Sequence, residues 1–306
     1  MRLAVFGGAG FIGSHFVDLA LESNFFSQVL VLDKITYAGS MKNLSRALLD
    51  NRVKFSKVDL IEPDSYANLL RNFEVVVNFA AESHVDRSIS APYLFAQVNS
   101  TGPCALASAC LEQNVELLVQ VSTDEVYGPV QSGESKEDAP ILPTSPYSAS
   151  KAAGEMLVNS FWRTYELPVI ITRGCNTYGP RQFPEKLIPL AIRNFLAKVD
   201  VPMYGSGQQV REWIHVLDHA AAILQIIRFG QPGMTYNIGT GERLQNHVLL
   251  KKIAEALRAD PALIRQVSDR QGHDFRYAID SQKLRTELGW QPKYSLIESL
   301  LNCHDW

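Results

Sequence analysis

Along the first half of the chain, short apolar runs alternate with stretches in which apolar residues return every three to four positions. The runs RLAVFG, QVLVLD, VKFSKVD, EVVVNFA and VELLVQVS show continuous apolar character rather than strict alternation, which predicts strands covered on both faces. Between them, SHFVDLALES and PDSYANLLRN carry the helical period. Repeated strand–helix units imply right-handed crossovers and a doubly wound parallel sheet, an α/β architecture.

After about residue 175 the rhythm changes: Pro, Gly and Asn become frequent, and PMYGSGQQVREWIHV reads as short strands around a Gly-rich turn. This pattern predicts a first unit over 1–175, rejoined by a returning segment near 216–237, and a smaller mixed α/β substrate unit over most of 176–306. Helices are expected at 185–198, 246–258 and 281–288, and DHAAAILQIIRF is expected to pack back on the first unit with Asp218 as its N-cap.

Composition narrows the function classes. A sequence of 306 residues with 46% hydrophobic content can fill such a core, and its formal net charge of -3, without a block of like charges, gives no footprint for nucleic acid or an acidic membrane. The apolar run of MRLAVFGGAGFIG is too short for a membrane span and is read as the opening strand of a cytoplasmic protein. Cys104, Cys110, Cys175 and Cys303 lack C-x-x-C spacing, so four reduced thiols are expected rather than a zinc site or redox pair. His215 and His219 stand four apart without an evident third ligand, and are read as flanking a helix start; no metal is expected.

Three motifs carry candidate chemistry. GGAGFIG links the first strand to the first helix, where Gly7 and Gly10 allow a tight turn with close backbone approach to a pyrophosphate and Gly13 allows helix and strand to pack closely. Asp33 ends the second strand, where an acid bonds the adenosine ribose and repels a 2′-phosphate, favouring NAD over NADP, although Lys34 lies beside it. SPYSASK sets Tyr147 and Lys151 on one helix face, where an ammonium near a phenol would lower its pKa and let it remove an alcohol proton. VSTDEVYG places Asp124 and Glu125 side by side after a strand. Two close, partly buried carboxylates titrate as a coupled pair and divide into acid and base; the plainer alternative is a solvated helix start.

GGAGFIGSH, LDKITYAGSMKNL, NFAAESHVDRSI, STDEVYG, SPYSASKAAGE, YGPRQFPEKLIP, GSGQQVREWIHVLDHA, YNIGTGE and DRQGHDFRYAID run through nearly the whole sequence. Together they resemble the extended short-chain dehydrogenases/reductases, and closely the dTDP-glucose 4,6-dehydratases. The resemblance implies a Rossmann-type fold, a retained NAD, a nucleoside diphosphate hexose substrate and a homodimer built on helices flanking the sheet. It gives Tyr147 the proton of the sugar C4 hydroxyl, with Thr123 bridging sugar and phenol. Glu125 would remove the C5 proton and Asp124 would protonate the departing C6 hydroxyl, while hydride leaves C4 and returns to C6. Epimerases of the superfamily lack the Asp-Glu pair, which makes Asp124 the discriminating residue.

The same resemblance assigns Phe11, Ile12, Lys34, Thr36, Gly39, Asp59 and Leu60 to the cofactor, together with Ala80, Ala81, Ser83, Asn99, Tyr147 and Lys151. Ser83 and His84 would border sugar and nicotinamide. Asn176, Lys186, Leu187, Arg211 and Asn246 would hold the substrate, Arg211 and Asn246 at the diphosphate, with Asp269 and His273 at the nucleotide or its ribose. Thr177, Arg181 and Phe275 depart from the family pattern, so UDP-glucose or another nucleotide sugar stays open beside dTDP-glucose. A C4 epimerase and a non-catalytic NAD-binding scaffold are the other readings.

Overall fold

The structure, a computed structural model, describes residues 1–270 and 272–301; Cys303 lies outside them. Its strands are β1 (Arg2–Phe6), β2 (Gln28–Asp33), β3 (Val53–Lys57), β4 (Val75–Asn78), β5 (Leu117–Thr123), β6 (Val169–Gly174), β7 (Asn176–Tyr178), β8 (Val201–Tyr204), β9 (Val210–His215), β10 (Thr235–Ile238), β11 (Arg243–Gln245) and β12 (Ile264–Val267). The helices are α1 (Phe11–Glu22), α2 (Val85–Ser90), α3 (Pro92–Ala96), α4 (Gly102–Glu112), α5 (Pro146–Tyr165), α6 (Leu187–Leu196), α7 (Val216–Phe229), α8 (Asn246–Ala256), α9 (Gln282–Leu288) and α10 (Leu296–Leu301).

Seven strands form one parallel sheet in the order β3-β2-β1-β4-β5-β6-β10, reversing direction of growth between β1 and β4. This is the doubly wound, Rossmann-type sheet that the apolar runs predict. The reason is visible in the burial: Leu3, Val5, Val29, Val31, Val75 and Val77 face a core shared with α1 and α7, while Ala4, Phe6, Leu30, Leu32 and Val76 face one shared with α4 and α5. Ligands of such sheets bind beyond the carboxyl ends of the strands at the switch point.

Helix α7 packs against α1, and β10 then adds the seventh strand beside β6. Asp218 does not cap α7: the His215 ring accepts from the Leu217 amide at the N-cap, while the Asp218 carboxylate, within the first turn, accepts from the amides of Lys293 and Tyr294. The segment that follows α9 thereby becomes the acid's partner, a long-range demand that outweighs the local one. The remaining strands pair as β11-β9-β7 and β12-β8 around a separate core of Tyr178, Ile188, Phe195, Trp213, Leu249 and Ile253. The expected helices are shorter than their patterns, at 187–196, 246–256 and 282–288. Among the described residues no helix is long and apolar enough to cross a membrane.

Candidate active site

The loop after β1 is shaped by backbone crowding. Gly7 takes φ +71°, and a side chain there would collide with the backbone at Ala80; one on Gly13 would collide with the Gly7 carbonyl. A cradle is left in front of α1, with Asp33 at its side: the carboxylate accepts from the amides of Ala9 (3.0 Å) and Ile35 (2.8 Å). Burial holds the Asp33 carboxyl above its ordinary pKa. Gly7, Gly10, Asp33, Lys34, Thr36, Gly39, Asp59, Leu60, Ala80 and Ala81 line one groove of about 140 Å³. Lys34 is ion-paired with Asp59 and so is not a free cation for a 2′-phosphate. The glycine cradle, the Asp33 carboxylate on the groove wall and the ion-paired lysine fit NAD.

Other expected cofactor residues lie outside that lining. Phe11 and Ile12 open α1. Asn99 is buried in a π-helical turn between α3 and α4, its amide engaged by Glu82 N, Glu82 O and Ser150 Oγ, so it fixes the loop after β4. Helix α5 lies so close to this turn that a side chain on Gly154 would collide with the Asn99 carbonyl.

The acid pair sits where β5 ends. Thr123 is still extended, its Oγ1 accepts from the Glu125 amide (3.3 Å) and donates to Asp124 Oδ1 (3.2 Å), and residues 124–127 turn once as a 3-10 helix. Tyr127 anchors the turn by donating to Asn237 Oδ1 (2.8 Å) and accepting from Arg173 Nη1 (2.7 Å). The acids are not a solvated helix start: Asp124 is 2% exposed and its Oδ2 is buried without a hydrogen-bond partner. Burial pushes the Asp124 carboxyl well above the carboxylate range, aided by the charges of Glu125 and Glu212 and opposed by Arg211. Glu125 is also raised by burial, but Arg211, Arg270 and Lys186 pull it back toward its ordinary value. The environment therefore favours a protonated Asp124 beside a more readily ionised Glu125.

Helix α5 presents the second half of the site. Ser145 caps it reciprocally with Ser148 and Pro146 takes its first position, which fixes Tyr147 in the first turn. The Thr123 side chain acts on the Tyr147 phenol and lowers its pKa slightly against the larger effect of burial, which brings the two motifs to one point. The expected lowering of its pKa by Lys151 is corrected here. Burial and then Glu125 push the phenol up, and the Lys151 ammonium is committed to the Val121 carbonyl at 2.7 Å. Lys151 is itself pulled down to about 8 by burial, with Glu155 opposing.

Across the cleft, Arg211 is 5% exposed, donates to the carbonyls of Val210 and Asp274 (both 2.9 Å) and stacks 4.6 Å above the Tyr277 ring, without a carboxylate ion pair among the described residues. Lys186 stands just before Leu187 at the start of α6 without capping it, and its Nζ donates to the Ser83 carbonyl at 2.7 Å. Asn246 opens α8 with Oδ1 buried and unpartnered. His273 Nδ1 lies 2.6 Å from Asp269 Oδ1, and Gln209 donates to the other oxygen of that carboxylate. Asn176 opens β7, and His84, which precedes α2, lies 3.9 Å from Glu185 Oε1.

With this geometry in view, the profile of the GDP-mannose 4,6 dehydratase family matches residues 4–302. The chain belongs to that family. It is 45% identical over all of its length to low-salt glycan biosynthesis protein Agl12 of Haloferax volcanii, covering 98% of that protein. It is 41% identical to a dTDP-glucose 4,6-dehydratase of Streptomyces niveus, covering 100% of this chain and 92% of the relative. Among solved structures, DesIV, the dTDP-glucose 4,6-dehydratase of Streptomyces venezuelae with NAD and dTDP bound, superposes with a TM-score of 0.97 at 44% identity, covering 99% of this chain and 95% of that one.

Sequence reasoning missed several residues that this dehydratase fold brings to the cleft. Glu82 and Leu94 line the cofactor groove, and Tyr37 donates to Glu82 while Arg87 lies 3.8 Å from the Tyr37 ring centre. Arg270 acts electrostatically on Glu125, Lys186 and Arg211. Arg270 was legible only as one member of DRQGHD; nothing in its neighbours announces the acids it faces.

Proposed function

We propose that this protein converts dTDP-glucose to its 4-keto-6-deoxy product, removing water across C5 and C6. The observation that carries this reading is the fully buried Asp124 beside Glu125: burial raises both carboxyls, and Arg211, Arg270 and Lys186 draw Glu125 back while Asp124 stays well above the carboxylate range. NAD bound in the groove supplies the hydride acceptor and donor. The protein's own residues handle the protons. Tyr147, beside Thr123, is the group for the C4 hydroxyl proton: burial and Glu125 keep its phenol protonated in the protein alone, and the positive nicotinamide ring of bound NAD would favour the phenolate that takes that proton. The resulting ketone acidifies the adjacent C5–H, which Glu125 removes. Asp124, neutral at the outset, protonates the C6 hydroxyl so that it leaves as water; the hydride that the reduced cofactor would return to C6 and a proton returned to C5 complete the 4-keto-6-deoxy sugar. A C4 epimerase has no task for either carboxylate, so a buried acid pair would be a cost without a function there.

Arg211 and Lys186, with the amides of Asn176 and Asn246, are the groups for the diphosphate, while Asp269 and His273 serve the nucleoside end. The full-length identity to dTDP-glucose dehydratases favours thymidine. We further assign the protein to the cytoplasm and to a homodimer. The outward faces of α3 and α5 support the dimer, since Tyr93, Met156, Leu157 and Tyr165 are all exposed there.

Incubation with dTDP-glucose and, in parallel, UDP-glucose in D₂O, followed by mass spectrometry and NMR, tests the assignment. Loss of one water with deuterium at C5, faster for the thymidine nucleotide, is expected. Unchanged mass with interconversion at C4 would establish an epimerase instead.

A further inference from the structure

Besides the Ser83 carbonyl on Lys186 and Arg87 on Glu185, a carboxylate joins the segment after β4 to the substrate-side elements. Asp86, in the first turn of α2, has Arg270 Nη1 at 3.5 Å from Oδ1, the Tyr204 hydroxyl at 3.5 Å from Oδ2 and His84 Nδ1 at 4.0 Å from Oδ2. Two of these groups come from the distant β8 end and the segment after β12. None of the contacts is tight: Arg270 Nε and Asp86 Oδ1 are both buried without a hydrogen-bond partner. Arg270 therefore holds a loosely satisfied guanidinium beside the cleft, on the side where Arg211 and Lys186 also bear on Glu125.

Three cations around one space are mutually repulsive, and each is positioned by what lies behind it. Arg211 has two carbonyls and a tyrosine face; Lys186 has the Ser83 carbonyl. For Arg270 the group behind is the Asp86 carboxylate. An anion entering the cleft can take the free guanidinium edge while Asp86 keeps the other, since a guanidinium has five donors.

We propose that Asp86 is a positioning residue for the substrate diphosphate: it orients Arg270 toward that anion and ties the end of β8 to α2 through Tyr204, without touching the reacting atoms. The proposal rests on the nucleotide-sugar reading above. Its signature is a change in nucleotide binding that outweighs any change in turnover.

Calorimetric titration of the NAD-loaded protein with dTDP, and with UDP as a second probe, tests it on wild type, Asp86→Asn, Arg270→Gln and the double variant, alongside KM and kcat for dTDP-glucose. Asp86→Asn is expected to weaken dTDP about tenfold and raise KM similarly, as loss of one oriented charge-assisted contact does, with kcat changed less than about threefold. The double variant should bind dTDP no worse than Arg270→Gln alone, because Asp86 acts through that arginine. Unchanged dTDP affinity in Asp86→Asn overturns the proposal, as do additive losses in the double variant. A parallel loss of NAD affinity also overturns it, since Asp86 would then be architectural. Should Asp86→Asn fail to fold, Asp86→Glu, which keeps the charge but displaces it, must weaken dTDP or the proposal fails. If wild type binds neither dTDP nor UDP, the nucleotide-sugar reading itself falls, and this inference with it.

Discussion

Asp124→Asn should slow the enzyme and stabilise the protein at the same time. The carboxyl is 2% exposed, Oδ2 has no hydrogen-bond partner, and Glu125 and Glu212 both disfavour its charge. Keeping that carboxyl protonated costs folding about 1.4 kcal/mol for each unit by which its folded pKa stands above the ordinary value, up to the working pH, and a neutral asparagine of the same shape escapes that cost although its amide stays buried. The sign with pH follows from the direction of the shift. The folded protein binds this proton more tightly than the unfolded state does, so the contribution of Asp124 to stability is fullest below the ordinary carboxylate pKa of 3.8 and is lost as pH rises toward its elevated folded value. The asparagine variant should therefore exceed wild type in melting temperature by a few degrees near neutrality, on the order expected for such a free-energy change, and the gap should shrink on acidification. Thermal denaturation of the cofactor-free proteins at several pH values reads this directly. Single-turnover water loss should meanwhile fall ~10²–10⁴-fold. An asparagine variant less stable than wild type at neutral pH, or a gap that does not depend on pH, would refute the account of Asp124 as a strained neutral acid.

Glu125→Gln should still permit C4 oxidation but abolish solvent exchange at C5, with a loss of ~10²–10⁴-fold in product formation; wild-type deuterium uptake at C5 would show that another group is the base. Because burial raises Glu125, wild-type turnover should decline on acidification at a higher pH than an ordinary carboxylate would give, and a limb absent from the pH–rate profile would contradict that. Gly154→Ala should destabilise the protein by roughly 1–3 kcal/mol, because the added methyl meets the Asn99 carbonyl, and NAD affinity should fall with it; an unchanged melting temperature would mean that α5 can move away.

The parallel sheet, the glycine cradle, Asp33 and the acid pair were legible in the sequence because each is a local demand. A strand buried on both faces must be apolar on consecutive residues, and a backbone packed against backbone at Gly7 and Gly13 admits no side chain. The protonation states were not legible. Tyr147 and Lys151 lie one turn apart, yet the lysine is drawn to Val121 and the phenol is governed by burial and Glu125. Asp218 reads as a cap and instead accepts from Lys293 and Tyr294. The TYNI strand is too short to predict by itself, and it joins the sheet because α7 delivers it to the edge of β6. The meeting of Asp86 with Arg270, and of Asp124 with Glu212, exists only after folding. Local pattern limits which backbone conformations are open to the polypeptide. Desolvation and charge proximity, which decide how its acids and bases behave, are properties of the assembled cleft and have no counterpart in the order of residues.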